Sequence, residues 1–157
     1  MNEEKLKEFV NALDGLSDDV KDWDVDMESS NKPSDSICGC HAGLVSIVAK
    51  DLPELQDIYN RLCSLHCDID DCNHLYFYYV WADALAVFLG FTDSRDLRFW
   101  AENNPKLWGN KFGSSIFRCE VAFTYGTNDS DKGLTHRDII EHWKQVLVNI
   151  EEGGKLK

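Results

Sequence analysis

The sequence predicts an all-α fold: a single compact domain over residues 1–157, with six or seven helices around one core. Three observations predict it. Apolar residues return every three or four positions in most segments, the period of a helix that buries one face. Start and stop residues punctuate those segments at helical lengths. Only one stretch alternates like a strand, and no second one exists to pair with it.

The first helix is expected over residues 3–13, where Leu6, Phe9, Val10 and Leu13 share one face. Residues 14–28 then gather seven acids against one lysine, with Trp23, Val25 and Met27 set among them. Residues 29–36, with Pro33, read as a polar linker, so acidic segment and linker together occupy about 14–36. Ser36 can cap a second helix reaching about Lys50, its apolar side built from Leu44, Val45, Ile47 and Val48.

Asp51, Pro53 and Glu54 predict the next helix start, because the Asp51 carboxylate can accept orphan amides and proline is tolerated in a first turn. This helix reaches about His66, with Leu55, Ile58, Leu62 and Leu65 on one side. After an acidic break at 68–73, a central helix is expected over 73–91. Its run from Leu75 to Phe91 is apolar and aromatic, broken only by Asp83. The run is short for a membrane span and charged near its middle, so it reads as a buried helix. Asp83 would lie on its most polar side, near Tyr76, Tyr79, Ala86 and Gly90.

Thr92 or Asp93 caps a further helix through Asn103, and residues 105–108 turn once before Gly109. Residues 113–125 are assigned to a helix on Phe112, Ile116, Cys119 and Phe123, although Phe117, Cys119, Val121, Phe123 and Tyr125 also alternate. Thr135 and Asp138 open the last helix, whose stripe is Ile139, Ile140, Trp143, Val146, Leu147 and Ile150. Gly153 and Gly154 are expected to end it.

Charge narrows the function. The formal net charge is −12, from 16 basic and 28 acidic residues. That sign disfavours nucleic acid and anionic membrane as partners, since phosphate attracts the opposite charge. The amino-terminal residues are charged and lack an apolar run, so no secretory signal is expected and the protein is placed in the cytoplasm. Six cysteines there read as thiols, not as a disulfide framework.

Cysteine and histidine crowd between Cys38 and His74, which hold five of the six cysteines and three of the five histidines. Cys63, His66 and Cys67 stand at helical spacing, and Cys38, Cys40 or His41 can supply a fourth zinc ligand from the preceding helix. The chain has no Cys-x-x-Cys pair, however, and Cys63 follows Leu62 on an apolar side, where free cysteine acts as a small hydrophobe. Cys38 would fall in the first turn of its helix, where the dipole favours thiolate, with His41, His74 and His136 as distant imidazoles. A cysteine hydrolase would pair such groups, but nothing in the sequence completes a triad. Gly39, Ala42 and Gly43 suit close helix packing around two small thiols instead. No catalytic residue is assigned, and the chain is read as a non-enzyme.

The stretch Ser36-Ile-Cys-Gly-Cys-His-Ala-Gly43, the later Ala86-Val-Phe-Leu-Gly-Phe91 and a tryptophan-bearing last helix resemble small proteins of phages and bacteria. Those proteins carry a Cys-Gly…Cys-x-Ala-Gly motif and an Ala-x-x-Leu-Gly-Leu segment. The resemblance implies a phage or bacterial accessory protein and brings no activity with it.

Two patches remain. Arg95 to Arg118 holds five basic residues against two acidic ones, with Phe99, Trp100, Trp108, Phe112 and Phe117 interleaved. A single-strand stacking surface has that composition, but the spacing also suits helix core positions, and core packing is expected. The first 31 residues hold ten acids and three lysines. There Asp22, Trp23, Asp24, Asp26 and Glu28 have the make-up of a segment that docks on a basic protein surface, carboxylates steering and Trp23 anchoring. Binding a protein partner is thus the expected function, with a zinc-stabilised module or a cysteine hydrolase as alternatives.

Overall fold

Helices account for nearly all of the computed structural model, which describes residues 1–22, 41–66, 74–109 and 136–155. In chain order they are α1 (Glu3–Asp14), α2 (Asp18–Lys21), α3 (His41–Val48), α4 (Pro53–His66), α5 (His74–Phe88), α6 (Ser94–Asn103), α7 (Pro105–Trp108) and α8 (His136–Lys155). A 3₁₀ turn, Ala49–Asp51, joins α3 to α4. The expected all-α class holds, and no strand occurs among the described residues. The helix number corrects upward from six or seven to eight among those residues. Two single-turn helices account for it: α2, inside what reads as acidic loop, and α7, which reads as a turn. The choice between helix and strand at 113–125 and the Ser36 cap lie outside the described residues.

Each start has a visible cause. The Asn2 side chain accepts the Lys5 amide at 3.2 Å, and Glu3 and Glu4 complement the dipole in the first turn of α1. Ser17 Oγ accepts the Val20 amide at 3.4 Å to start α2. At α4 the expected cap shifts by one residue. Asp51 closes the 3₁₀ turn, and the Leu52 carbonyl accepts the first helical amide, from Gln56, at 3.1 Å. Glu54, in the first turn of α4, pairs with Lys5 of α1.

The ends are as instructive. The motif Ala86–Phe91 is a helix stop: the Phe91 amide donates to the Ala86 carbonyl at 2.9 Å and the Gly90 amide to Val87 at 3.0 Å. Gly90 takes φ +95°, the left-handed conformation that this pattern requires. Gly153 and Gly154 do not end α8, which continues to Lys155. Glycine weakens a helix without forbidding it. Here Leu107 Cδ2 lies 3.5 Å from where a Gly153 β-carbon would stand, and Asn149 Nδ2 donates to the Leu107 carbonyl at 3.0 Å, so packing on α7 holds the last turns.

Two helices organise the core. α5 packs against α3, α4 and α6, while α8 packs against α1, α2, α3 and α7. α3 touches both and joins the two halves through one continuous cluster of buried side chains. α5 is buried on nearly every side from Val80 to Leu89, with only Asp83 and Val87 half-buried, as befits a central helix. Around α8, the fully buried Trp143 meets Phe9 of α1 edge-on at 5.3 Å and Trp108 of α7 at 5.4 Å. Around α5, Trp81 stacks flat on Tyr59 of α4 at 3.8 Å. Such pairs add about 0.5–1.5 kcal/mol beyond the area they bury.

One expected core residue is outside. Phe99 is 65% exposed, while Leu97 and Ala101 are the buried residues of α6 and Trp100 packs on Phe91 at 5.9 Å. Successive helix positions turn by about 100°, so Phe99 points away from Leu97. Ile47 of α3 is likewise only half-buried, and Ser46 is buried beside it.

Candidate functional site

The acidic amino-terminal edge begins at the end of α1 and runs through α2. Asp14, Asp18 and Asp22 are each four residues apart, and all are exposed. Opposite them, Arg137 and Lys144 stand seven residues apart on α8, about 10.5 Å along a helix. Arg137 Nε donates to Asp22 Oδ1 at 2.9 Å and its Nη2 to Asp18 Oδ1 at 3.2 Å. Lys144 Nζ donates to Asp14 Oδ1 at 3.0 Å and to Glu141 Oε1 at 3.5 Å. Lys21 completes the edge by donating to the Asp14 carbonyl at 2.7 Å. Lys7 of α1 sits 3.7 Å from Glu151, so residue numbers rise along α1 and α2 as they fall along α8. The two run antiparallel.

These pairs perturb the groups that make them. The Lys144 hydrogen bond and charge hold the Asp14 carboxyl below its ordinary 3.8, and Asp14 in turn raises Lys144. Hydrogen bonds from Asp22 first, then Asp18, stabilise the Arg137 cation further. Asp19 makes no ion pair among the described residues and faces solvent.

Of the partner-binding residues expected from the sequence, Asp22 is therefore placed on Arg137. Trp23, Asp24, Asp26 and Glu28 lie outside the described residues. The basic counterpart of the acidic edge among the described residues is α8. No local sequence pattern links Arg137 and Lys144 to these acids, since Arg137 lies 115 residues from Asp22 and Lys144 lies 130 from Asp14.

The zinc candidates are only partly in view. Cys63 lies half-buried on α4 as a free thiol, and Cys40 and Cys67 are outside the described residues, as is the His66 side chain. No three metal-binding side chains stand together among the described residues. Cys63 adjoins Tyr59 one turn earlier, whose phenol is pushed above its ordinary 10.0 by burial and by its hydrogen bond with that thiol. For the hydrolase reading, Cys38 is outside the described residues, while His136 is fully buried at the start of α8.

Asp83 has a structural partner. Its Oδ1 accepts the Ser94 amide at 2.9 Å, which fixes the first turn of α6 to α5. His142 is buried edge-on to Trp108 at 4.4 Å. None of the described helices is long and apolar enough to cross a membrane. No family model, curated protein or solved structure matches the chain.

Proposed function

We propose that this is a small acidic binding protein whose amino-terminal edge docks onto the basic surface of another protein. The observation that carries the reading is the line of carboxylates at Asp14, Asp18 and Asp22. It is exposed, evenly spaced and already engaged with cations presented by a helix. Fixed, complementary charge gives orientation and encounter rate, and an aromatic anchor gives residence time. Trp23, with Asp24, Asp26 and Glu28, follows directly from the anchored Asp22 and is positioned in sequence to supply that anchor. The net charge of −12 and a free Cys63 suit an accessory role in a cytoplasm, phage-encoded or bacterial.

Affinity capture from the source cell tests the reading, using the intact chain and a W23A/D24N/D26N/E28Q variant. Asp22 is left in place so that the contact with α8 survives. A basic protein should be retained by the wild type and lost with the variant, while the circular-dichroism melt stays the same. Equal capture of the same proteins by both forms would sink it.

A further inference from the structure

We propose that Trp81, Tyr59 and Cys63 form an oxidation relay, in which a radical formed on the buried indole passes through the phenol to the thiol. The inference goes beyond the partner-binding reading and does not depend on it.

Three oxidisable side chains stand in line. Trp81 of α5 is 3% exposed, and its ring lies flat on Tyr59 of α4, the centroids 3.8 Å apart and the planes 9° from parallel. Contact of that kind overlaps the two π-systems face to face. Cys63 follows Tyr59 by four residues, the spacing that makes side chains neighbours on a helix. Tyr59 and Cys63 are both half-buried, so the line leads from the core toward solvent. Burial first, and then the hydrogen bond with Cys63, raise the Tyr59 phenol above its ordinary 10.0, so it is protonated at neutral pH. Among the described residues the other tryptophans have different neighbours. Trp100 meets Phe91, while Trp108 and Trp143 meet each other and His142. The relay needs no bound ligand and no movement of a helix.

The chemistry balances at each step. A one-electron oxidant, such as a carbonate radical, takes an electron from the Trp81 indole and leaves its radical cation. Electrons tunnel through packed protein, so the oxidant need not enter the core. Tyr59 returns an electron to the indole and loses its phenolic proton to water, which leaves a neutral phenoxyl radical. The Cys63 thiol then donates a hydrogen atom: its S–H bond breaks, the phenol O–H bond re-forms, and a thiyl radical remains. A low-molecular-weight thiol donates a hydrogen atom to that thiyl radical and carries the unpaired electron into solution. The oxidant has gained one electron, water one proton, and the small thiol has lost one hydrogen atom. All three side chains are restored. Without the relay the indole radical adds oxygen, which places polar atoms in a packed core.

The test uses the full chain and a light-generated ruthenium(III) tris-bipyridyl complex as the one-electron oxidant. A nitrone spin trap captures the radicals, and peptide mapping by mass spectrometry locates them. Wild type should carry the trap on Cys63 and keep Trp81 intact. Tyr59→Phe retains a ring to stack but has no O–H. It should lose trapping at Cys63 severalfold and gain oxygen on Trp81 severalfold, with an unchanged circular-dichroism spectrum. Cys63→Ser should hold the radical on Tyr59, so that the phenoxyl absorbance and electron-spin-resonance signal outlive those of wild type severalfold. Equal Trp81 oxidation in wild type and a folded Tyr59→Phe overturns the step from indole to phenol. Unchanged trapping at Cys63 in that variant, or equal phenoxyl lifetimes in wild type and Cys63→Ser, overturns the step to the thiol. The second comparison keeps the test decisive if Tyr59→Phe does not fold.

Discussion

Asp83 on α5 accepts the backbone amide of Ser94, the first residue of α6, at 2.9 Å. The only acid in the apolar run of the central helix is thus a cap lent to its neighbour. Asp93 adds the usual local cap, accepting the Asp96 amide at 3.0 Å, and Asp96 accepts the Thr92 amide at 3.1 Å. Three carboxylates satisfy amides that the start of α6 would otherwise leave bare. Asp83→Ala should lower stability by about 1–2 kcal/mol, and Asp83→Asn by less, because an amide oxygen still accepts. Urea denaturation distinguishes them. Two unchanged midpoints would show that α6 does not depend on this bond.

Two glycines should respond in opposite directions to alanine. Gly90 has φ +95°, and an added β-carbon would lie 3.3 Å from Asn2 Cβ, where the Asn2 amide also donates to the Leu89 carbonyl at 2.7 Å. Gly90→Ala should cost about 1–2 kcal/mol through the left-handed backbone and the crowded contact. Gly153 is helical, and its added methyl would meet Leu107 at an ordinary 3.5 Å. Gly153→Ala should stabilise by about 0.5–1 kcal/mol. Thermal melts of the two variants should therefore move apart; shifts of the same sign would contradict the backbone assignment.

Burial separates two aromatics. Trp143 is fully buried and joins α1 to α7, so Trp143→Ala should cost about 3–5 kcal/mol. Phe99 is 65% exposed, and Phe99→Ser should stay within about 0.5 kcal/mol of wild type. Denaturant midpoints give the comparison directly. A large loss at Phe99 would return it to the core.

The contact between Asp14 and Lys144 predicts a pH window. Asp14 is held below its ordinary 3.8, so its share of stability is complete above that value and declines as pH falls through the lowered one. Lys144 is raised above its ordinary 10.5, so its share is complete below that value and declines as pH rises through the raised one. Lys144→Gln should flatten both the acid and the alkaline losses of melting temperature. The effect is small, because both side chains are solvated. An acid limb identical in wild type and variant would count against the pairing.

How much could be read in advance differs sharply between core and surface. The stripes Leu6–Phe9–Val10–Leu13 and Ile139–Ile140–Trp143–Val146 were legible because burial repeats with the helix period. The continuation of α8 past Gly153 is not legible in its own segment, because the supporting contact comes from Leu107 on another element. Phe99 shares the helical spacing of the other aromatics, but α6 buries the face of Leu97 and Ala101, which packing on α5 decides. At the acidic edge, composition sets Asp22 among expected docking residues, whereas the structure pairs it with Arg137, 115 residues away in the chain. Complementary surface charges carry no periodicity, so nothing short of folding brings such a pair together.

The edge-on contact between Phe9 and Trp143 has a consequence for biosynthesis. A nascent chain emerging from the ribosome releases α1 early, with Leu6, Phe9 and Leu13 ready to be buried, while its main neighbour α8 is still unmade. Until α8 clears the exit tunnel, that greasy stripe is a target for chaperones and a lure for other unfinished chains. A product that stops before His136 is thus expected to be degraded, not to survive as a smaller protein.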